Sequence, residues 1–188
     1  MMTTAGSLTK ILFAHSAGPQ YGPGKGSYDL VKYLRTGLGD GFQVLFPKID
    51  KPNSPTYEKY KKMYRFAFMK LTEPVILVGH SLGASTLLKY LSEEKHRLKI
   101  RGLFLAATPH WKSNMKEFQL EENFQLKLKE IAPVFLYQSK NDPELSPEHL
   151  AFYRDKLNWA KTREIEGDEH AFSKGLPVLM EDIRSIVT

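Results

Sequence analysis

Residues Pro74-Val75-Ile76-Leu77-Val78 run directly into Gly79-His80-Ser81-Leu82-Gly83, and these into Ala84-Ser85-Thr86-Leu87-Leu88-Lys89-Tyr90-Leu91. A short apolar run with β-branched residues predicts a strand, and the second apolar stretch predicts a helix. Between them stands a serine bracketed by glycines. So tight a strand-to-helix turn forces the serine into a strained backbone conformation and pushes its hydroxyl out of the sheet's carboxyl edge. Residues two before and two after it must be tiny, because a side chain there would collide with the neighbouring turn. Gly79, Gly83 and Ala84 meet that demand. Taken alone, the pentapeptide also fits an ordinary turn with a serine near a helix N-cap. The two readings separate on whether an acid and a histidine follow at suitable places.

Outward from this point the chain alternates short apolar runs with helical patterns. Strands are expected at 11–14, 42–46, 75–78, 101–107 and 134–137, with a weaker one at 162–165. Helices are expected at 27–38, 57–71, after Ser81, at 116–131, at 147–157 and at 176–186. Tyr60, Tyr64 and Phe68 form an apolar stripe at helical spacing, which reads as core. Several strands are near-continuous apolar runs, as strands covered on both faces are. The alternation predicts a single α/β domain over residues 1–188. Its sheet is mostly parallel and six-stranded, with right-handed crossovers and helices on both faces.

Composition narrows the function. A chain of 188 residues with 41% hydrophobic and 26% charged residues suits one globular domain. No apolar run approaches the roughly 20 residues needed to span a bilayer. The first seven residues carry no secretory pattern, so a cytoplasmic protein is the default expectation. Cysteine is absent, which excludes disulfides, thiolate metal sites and a cysteine nucleophile. The net charge of +6 invites a nucleic-acid reading. The basic residues are scattered over helix faces and ends, and no zinc-finger, RNA-binding or basic-zipper signature accompanies them.

A serine hydroxyl needs a base to become a nucleophile, and the base needs an acid to orient it. In open α/β sheets such groups collect beyond the carboxyl ends of the strands. Of six histidines, His170 follows the last strand; His80 lies inside the elbow, facing away from the Ser81 hydroxyl. Asp142, in Asn141-Asp142-Pro143 after the fifth strand, is the acid of choice. It also fits an Asx-turn. Asp168 is the alternative acid, Glu144 a weaker substitute, and Asp155 falls inside a helical pattern.

The order Ser81, Asp142, His170 is similar to that of the alpha/beta hydrolases. Gly79-His80-Ser81-Leu82-Gly83 resembles their nucleophile elbow and Asn141-Asp142-Pro143 their acid loop. Gly167-Asp168-Glu169-His170-Ala171-Phe172 resembles their histidine loop. The size resembles compact members without a lid domain, of the retinoblastoma-binding-protein-9 and dienelactone-hydrolase-like kinds. The resemblance implies Ser81 as nucleophile, His170 as base and Asp142 as orienting acid. It implies an oxyanion hole from the backbone N–H groups of Leu82 and Ala17, since His15-Ser16-Ala17-Gly18 resembles the family's His-Gly-x-Gly with Ser16 in place of glycine. His110, Trp111, Tyr21 and Phe172 are expected to line the pocket. The expected activity is cleavage of a small carboxylic ester or thioester, with no metal or organic cofactor and a small-molecule acyl substrate. The alternatives are a binding protein on the same scaffold and an acyltransferase.

Overall fold

The computed structural model describes residues 8–111, 115–131 and 133–187. Six strands, β1 (Thr9–Ala14), β2 (Phe42–Leu45), β3 (Val75–His80), β4 (Ile100–Ala106), β5 (Val134–Ser139) and β6 (Lys161–Ile165), form one sheet in the order β2-β1-β3-β4-β5-β6. Every neighbouring pair is parallel. The helices are α1 (Tyr28–Leu38), α2 (Tyr57–Phe68), α3 (Leu82–Glu93), α4 (Phe124–Leu128), α5 (Pro147–Lys156) and α6 (Pro177–Ser185).

Side chains of β1 show how the strands serve two cores. Leu12 and Ala14 join Tyr60, Tyr64, Leu87 and Leu88 of α2 and α3 on one face. Ile11 and Phe13 join Leu30, Leu34, Leu179 and Ile183 of α1 and α6 on the other. Successive residues of a strand point to opposite faces, so a strand buried on both sides must be apolar at every position. All six residues of β3 are buried, as its continuous apolar run predicts. The edge strand β6 is only partly covered, and accordingly holds Lys161, Arg163 and Glu164.

The expected elements are present with one substantial correction. The polar helix predicted over 116–131 is replaced by a 3₁₀ turn at Lys116–Phe118 and the short α4. Phe118, Phe124 and Leu128 are buried here, and three anchors at irregular spacing hold the segment against the core without a continuous helix. The loop expected over 108–114 falls partly outside the described residues. No helix among the described residues is long and apolar enough to cross a membrane.

Strand order fixes where chemistry can occur. From β1 the chain moves outward to β2, then returns to lay β3 on the other side of β1 and proceeds the opposite way. The carboxyl ends of β1 and β3 therefore flank the reversal point, where the loops diverge and leave a crevice.

Candidate active site

Ser81 closes β3 and caps α3 with φ 51° and ψ −125°. This left-handed backbone costs a serine on the order of 1–3 kcal/mol. It is held by bonds on both sides: the Ser81 N–H donates to Ala106 O at 2.9 Å, and Ser81 O accepts from Ala84 N at 2.9 Å. The glycines permit it. A Cβ on Gly79 would lie 2.6 Å from Ala84 Cα, and one on Gly83 would lie 2.3 Å from the carbonyl oxygens of Ala14 and His15. The sterics expected of the elbow are thus met by backbone that cannot yield.

His170 and Asp142 reach the same point from the loops after β6 and β5. His170 Nε2 stands 2.9 Å from Ser81 Oγ. Its Nδ1 stands 2.9 Å from Asp142 Oδ2 and 3.1 Å from Oδ1. A carboxylate only accepts, so Nδ1 carries the proton and Nε2 offers its lone pair to the serine hydroxyl. Asp142 Oδ1 also accepts the N–H groups of Glu144 at 2.9 Å and Leu145 at 3.0 Å. Its Asx-turn and its bond to His170 are therefore compatible, and β5 extends to Ser139, closer to the acid than the sequence suggests. Burial pulls the Asp142 carboxyl upward. The bonds from His170, Glu144 and Leu145 outweigh that pull and hold it below the ordinary carboxylate value. Asp155 and Asp168 are exposed and, among the described residues, make no bond to His170.

The loop after β1 faces the serine from across the crevice. Ser16 N–H donates to Ser27 Oγ at 2.9 Å, and Ser16 O accepts from Tyr60 Oη at 2.8 Å. His15 Nε2 donates to Gly18 O at 3.0 Å. Among the described residues the Ala17 N–H has no hydrogen-bond partner. Leu82, first residue of α3, has no intrahelical acceptor for its N–H. Tyr60 thus sits in the core, as its stripe predicts, while its hydroxyl fastens a loop at the site.

A cleft of about 660 Å³ opens beside Ser81 and His170. Pro109, His110 and Trp111 from the β4 loop and Leu145, Glu148, His149 and Phe152 from the acid loop and α5 line it. Trp111 Nε1 donates to Ser85 Oγ at 2.9 Å, and the His110 ring stacks on Phe152 with centroids 3.5 Å apart. Of the four expected pocket residues, His110 and Trp111 lie here. Tyr21 packs edge-on against Phe46 away from the cleft, and Phe172 is buried in the α1/α6 core. The α5 contribution escapes sequence reading because Glu148, His149 and Phe152 carry no motif. Only their position just after the acid loop marks them. Among the described residues no group of three or more His, Asp or Glu side chains converges to hold a metal ion.

A serine at a tight strand-to-helix turn, with a histidine and an aspartate beside it at the reversal point of a parallel sheet, is the arrangement expected of an α/β serine hydrolase. The profile of the serine hydrolase family matches residues 46–170, and the chain belongs to that family. No curated protein sequence matches the chain. Among solved structures it is similar to the ydeN gene product of B. subtilis, with TM-score 0.74, 19% identity, and 96% of this chain and 98% of that one covered. It is also similar to a Nitrososphaera gargenis protein described among carboxylesterases, with TM-score 0.73, 12% identity, and coverage of 96% and 91%. A third is a serine hydrolase without a lid from Xanthomonas campestris, with TM-score 0.67, 14% identity, and coverage of 98% and 84%. At these identities the likeness is one of fold.

Proposed function

We propose that the protein hydrolyses a small carboxylic ester or thioester through an acyl-enzyme. The observation that carries this reading is the unbroken hydrogen-bonded chain from Ser81 Oγ through His170 to Asp142. Ser81 Oγ attacks the acyl carbon while His170 Nε2 takes its proton. Negative charge developing on the carbonyl oxygen is met by the Leu82 and Ala17 N–H groups, the former aided by the α3 dipole. His170 then returns the proton to the departing alcohol or thiol. Water attacks the acyl-serine by the same route, with Asp142 stabilising the imidazolium in each half-reaction. The cleft has the size of a small-ligand site, and its Pro109, Trp111, Leu145 and Phe152 walls suit an apolar acyl or alcohol group.

The test is covalent capture of Ser81 by a fluorophosphonate, read as a mass shift, together with turnover of short-chain nitrophenyl esters. Ser81→Ala is expected to lose both while keeping its far-UV circular dichroism. Retained turnover in that variant would falsify the assignment. Product analysis with alcohol acceptors separates hydrolysis from acyl transfer. Absence of labelling in the folded wild type favours the binding-protein alternative.

A further inference from the structure

His80 is the one histidine that immediate neighbourhood to Ser81 would recommend and geometry withholds from it. Its ring is buried, with 1% exposure, and makes two bonds. Nε2 lies 2.9 Å from the backbone carbonyl oxygen of His170, and Nδ1 lies 2.9 Å from Ser27 Oγ. A carbonyl only accepts, so Nε2 must carry the proton; Nδ1 then accepts from the Ser27 hydroxyl. Ser27 Oγ in turn accepts the N–H of Ser16 at 2.9 Å. The polar chain therefore runs Ser16 N–H to Ser27 O–H to His80 Nδ1, and from His80 Nε2–H to the carbonyl of His170. It begins in the loop bearing Ala17, passes through the elbow, and ends on the catalytic base itself.

We infer that His80 is a positioning residue, a buried post that sets the histidine loop and the oxyanion loop at a fixed distance from Ser81. The inference rests on the hydrolase reading for its consequence in catalysis, but the bonds it names do not. Three features support it. His170 sits on a loop, and among the described residues its only other bonds are those to Ser81, Asp142 and the exposed Glu144, so its backbone carbonyl has no other tether. The His80 ring also lies against the rings of His170 and Phe172, with centroids 5.5 and 6.2 Å away, so it braces the loop by packing as well. Burial, with the neighbouring His170, pushes the His80 imidazole down to about 3, so near neutral pH the ring is uncharged, and the His170 carbonyl at Nε2 fixes which nitrogen carries its one proton. A post whose donor and acceptor do not exchange suits the task of holding a base within a few tenths of an ångström.

The test compares His80→Leu, which keeps bulk but makes neither bond, with His80→Gln, whose amide N–H can replace Nε2–H toward the His170 carbonyl. With a nitrophenyl ester, His80→Leu is expected to lose about 100-fold in kcat with KM little changed, since a misplacement of about 1 Å costs that much. His80→Gln is expected to recover most of the loss. The low-field proton signal of His170 Nδ1, hydrogen-bonded to Asp142, should vanish or shift in His80→Leu and return in His80→Gln. A role confined to stability predicts instead a lowered melting temperature with kcat and this signal intact below it. A folded His80→Leu with kcat within about threefold of wild type and an unchanged signal overturns the inference, as does a folded His80→Gln impaired like the leucine variant. If His80→Leu does not fold, Ser27→Ala decides: it leaves the ring in place and unties Nδ1, and a loss of about tenfold in kcat is expected, unchanged kcat being fatal. The proton signal needs no substrate. A wild type inactive on all esters would therefore sink the ester reading while still letting the signal judge the post.

Discussion

The Glu144 carboxylate stands 3.5 Å from Nε2 of His170, the nitrogen that also faces Ser81 Oγ. Its side chain is 67% exposed, so water and salt screen its field. A screened charge at that distance is still worth a few-fold in rate for a substrate whose leaving group carries charge. We expect a trimethylammonium-bearing alcohol ester to be preferred over its neutral tert-butyl isostere. Glu144→Gln should reduce that ratio of kcat/KM by about threefold at low salt, and the difference should fade as ionic strength rises. A ratio that Glu144→Gln leaves untouched would show that the carboxylate does not sense the substrate.

Much of this arrangement is visible in the sequence because its causes are local. The Val75–Val78 run, the glycines around Ser81 and the spacing of Leu30, Val31, Leu34 and Leu38 each state a backbone demand over a few residues. All four apolar positions of α1 are buried. The segment 116–131 misleads because Phe118, Phe124 and Leu128 meet the core through tertiary packing, which no helical period records. Phe172 misleads in another way. A strand-end loop near His170 suggests the cleft, yet its φ of 48° turns the chain and its ring enters the core beneath. His80 and Tyr60 are unreadable for a third reason: each is an ordinary buried residue until its partners, 90 and 44 positions away, are known.

Asp142 turns both oxygens toward the histidine and shares Oδ1 with the turn as well, which makes its amide variant informative. Asp142→Asn keeps one acceptor for the Glu144 and Leu145 N–H groups but presents His170 with an amide that can donate. Nδ1 then loses its reason to hold the proton, and the wrong tautomer faces Ser81. We expect kcat to fall about 10³- to 10⁴-fold while KM changes little. Fluorophosphonate labelling should slow in parallel. An Asp142→Asn enzyme within tenfold of wild type would take the orienting role away from Asp142.

Stability should fall with acid earlier than carboxylate titration explains. The His80 imidazole titrates near 3 in the folded chain and near 6.5 when exposed, so between those values the unfolded state binds a proton that the folded state refuses. Stability therefore rises with pH through this window and is lost as pH falls through it. Burial lowers His15 and His96 as well, in the same direction. Asp142, held below its ordinary value, adds its own loss only at the acid end of the range. Urea unfolding at pH 7.5 and about pH 4.5 should differ by on the order of 2–3 kcal/mol from His80 alone. His80→Gln, which removes the titrating ring, should flatten that part of the slope. A wild-type unfolding midpoint unchanged between pH 7.5 and 4.5 would contradict the neutral buried ring.

Gly83 is where α3 touches the loop after β1, and its lack of a side chain lets them meet. A methyl there would press to 2.3 Å on two carbonyl oxygens, Ala14 O at the paired end of β1 and His15 O in the loop that follows it. Nothing flexible is available to move, so Gly83→Ala must push α3 away from β1 or tilt the loop after it. Either response also separates Leu82 from Ala17. We expect a cost of about 3 kcal/mol or more in stability, as for other overpacked cores, and a larger fractional loss of kcat than of melting temperature. Gly41→Ala supplies the control. It has open space around it and lies in the turn entering β2, away from the site, with no positive φ to strain a side chain. That variant should be neutral or gain up to about 1 kcal/mol through a stiffer unfolded chain. If Gly83→Ala were as well tolerated as Gly41→Ala, with activity retained, the close approach of α3 to the β1 loop could not be what sets the distance between the Leu82 and Ala17 N–H groups on which the proposed function relies.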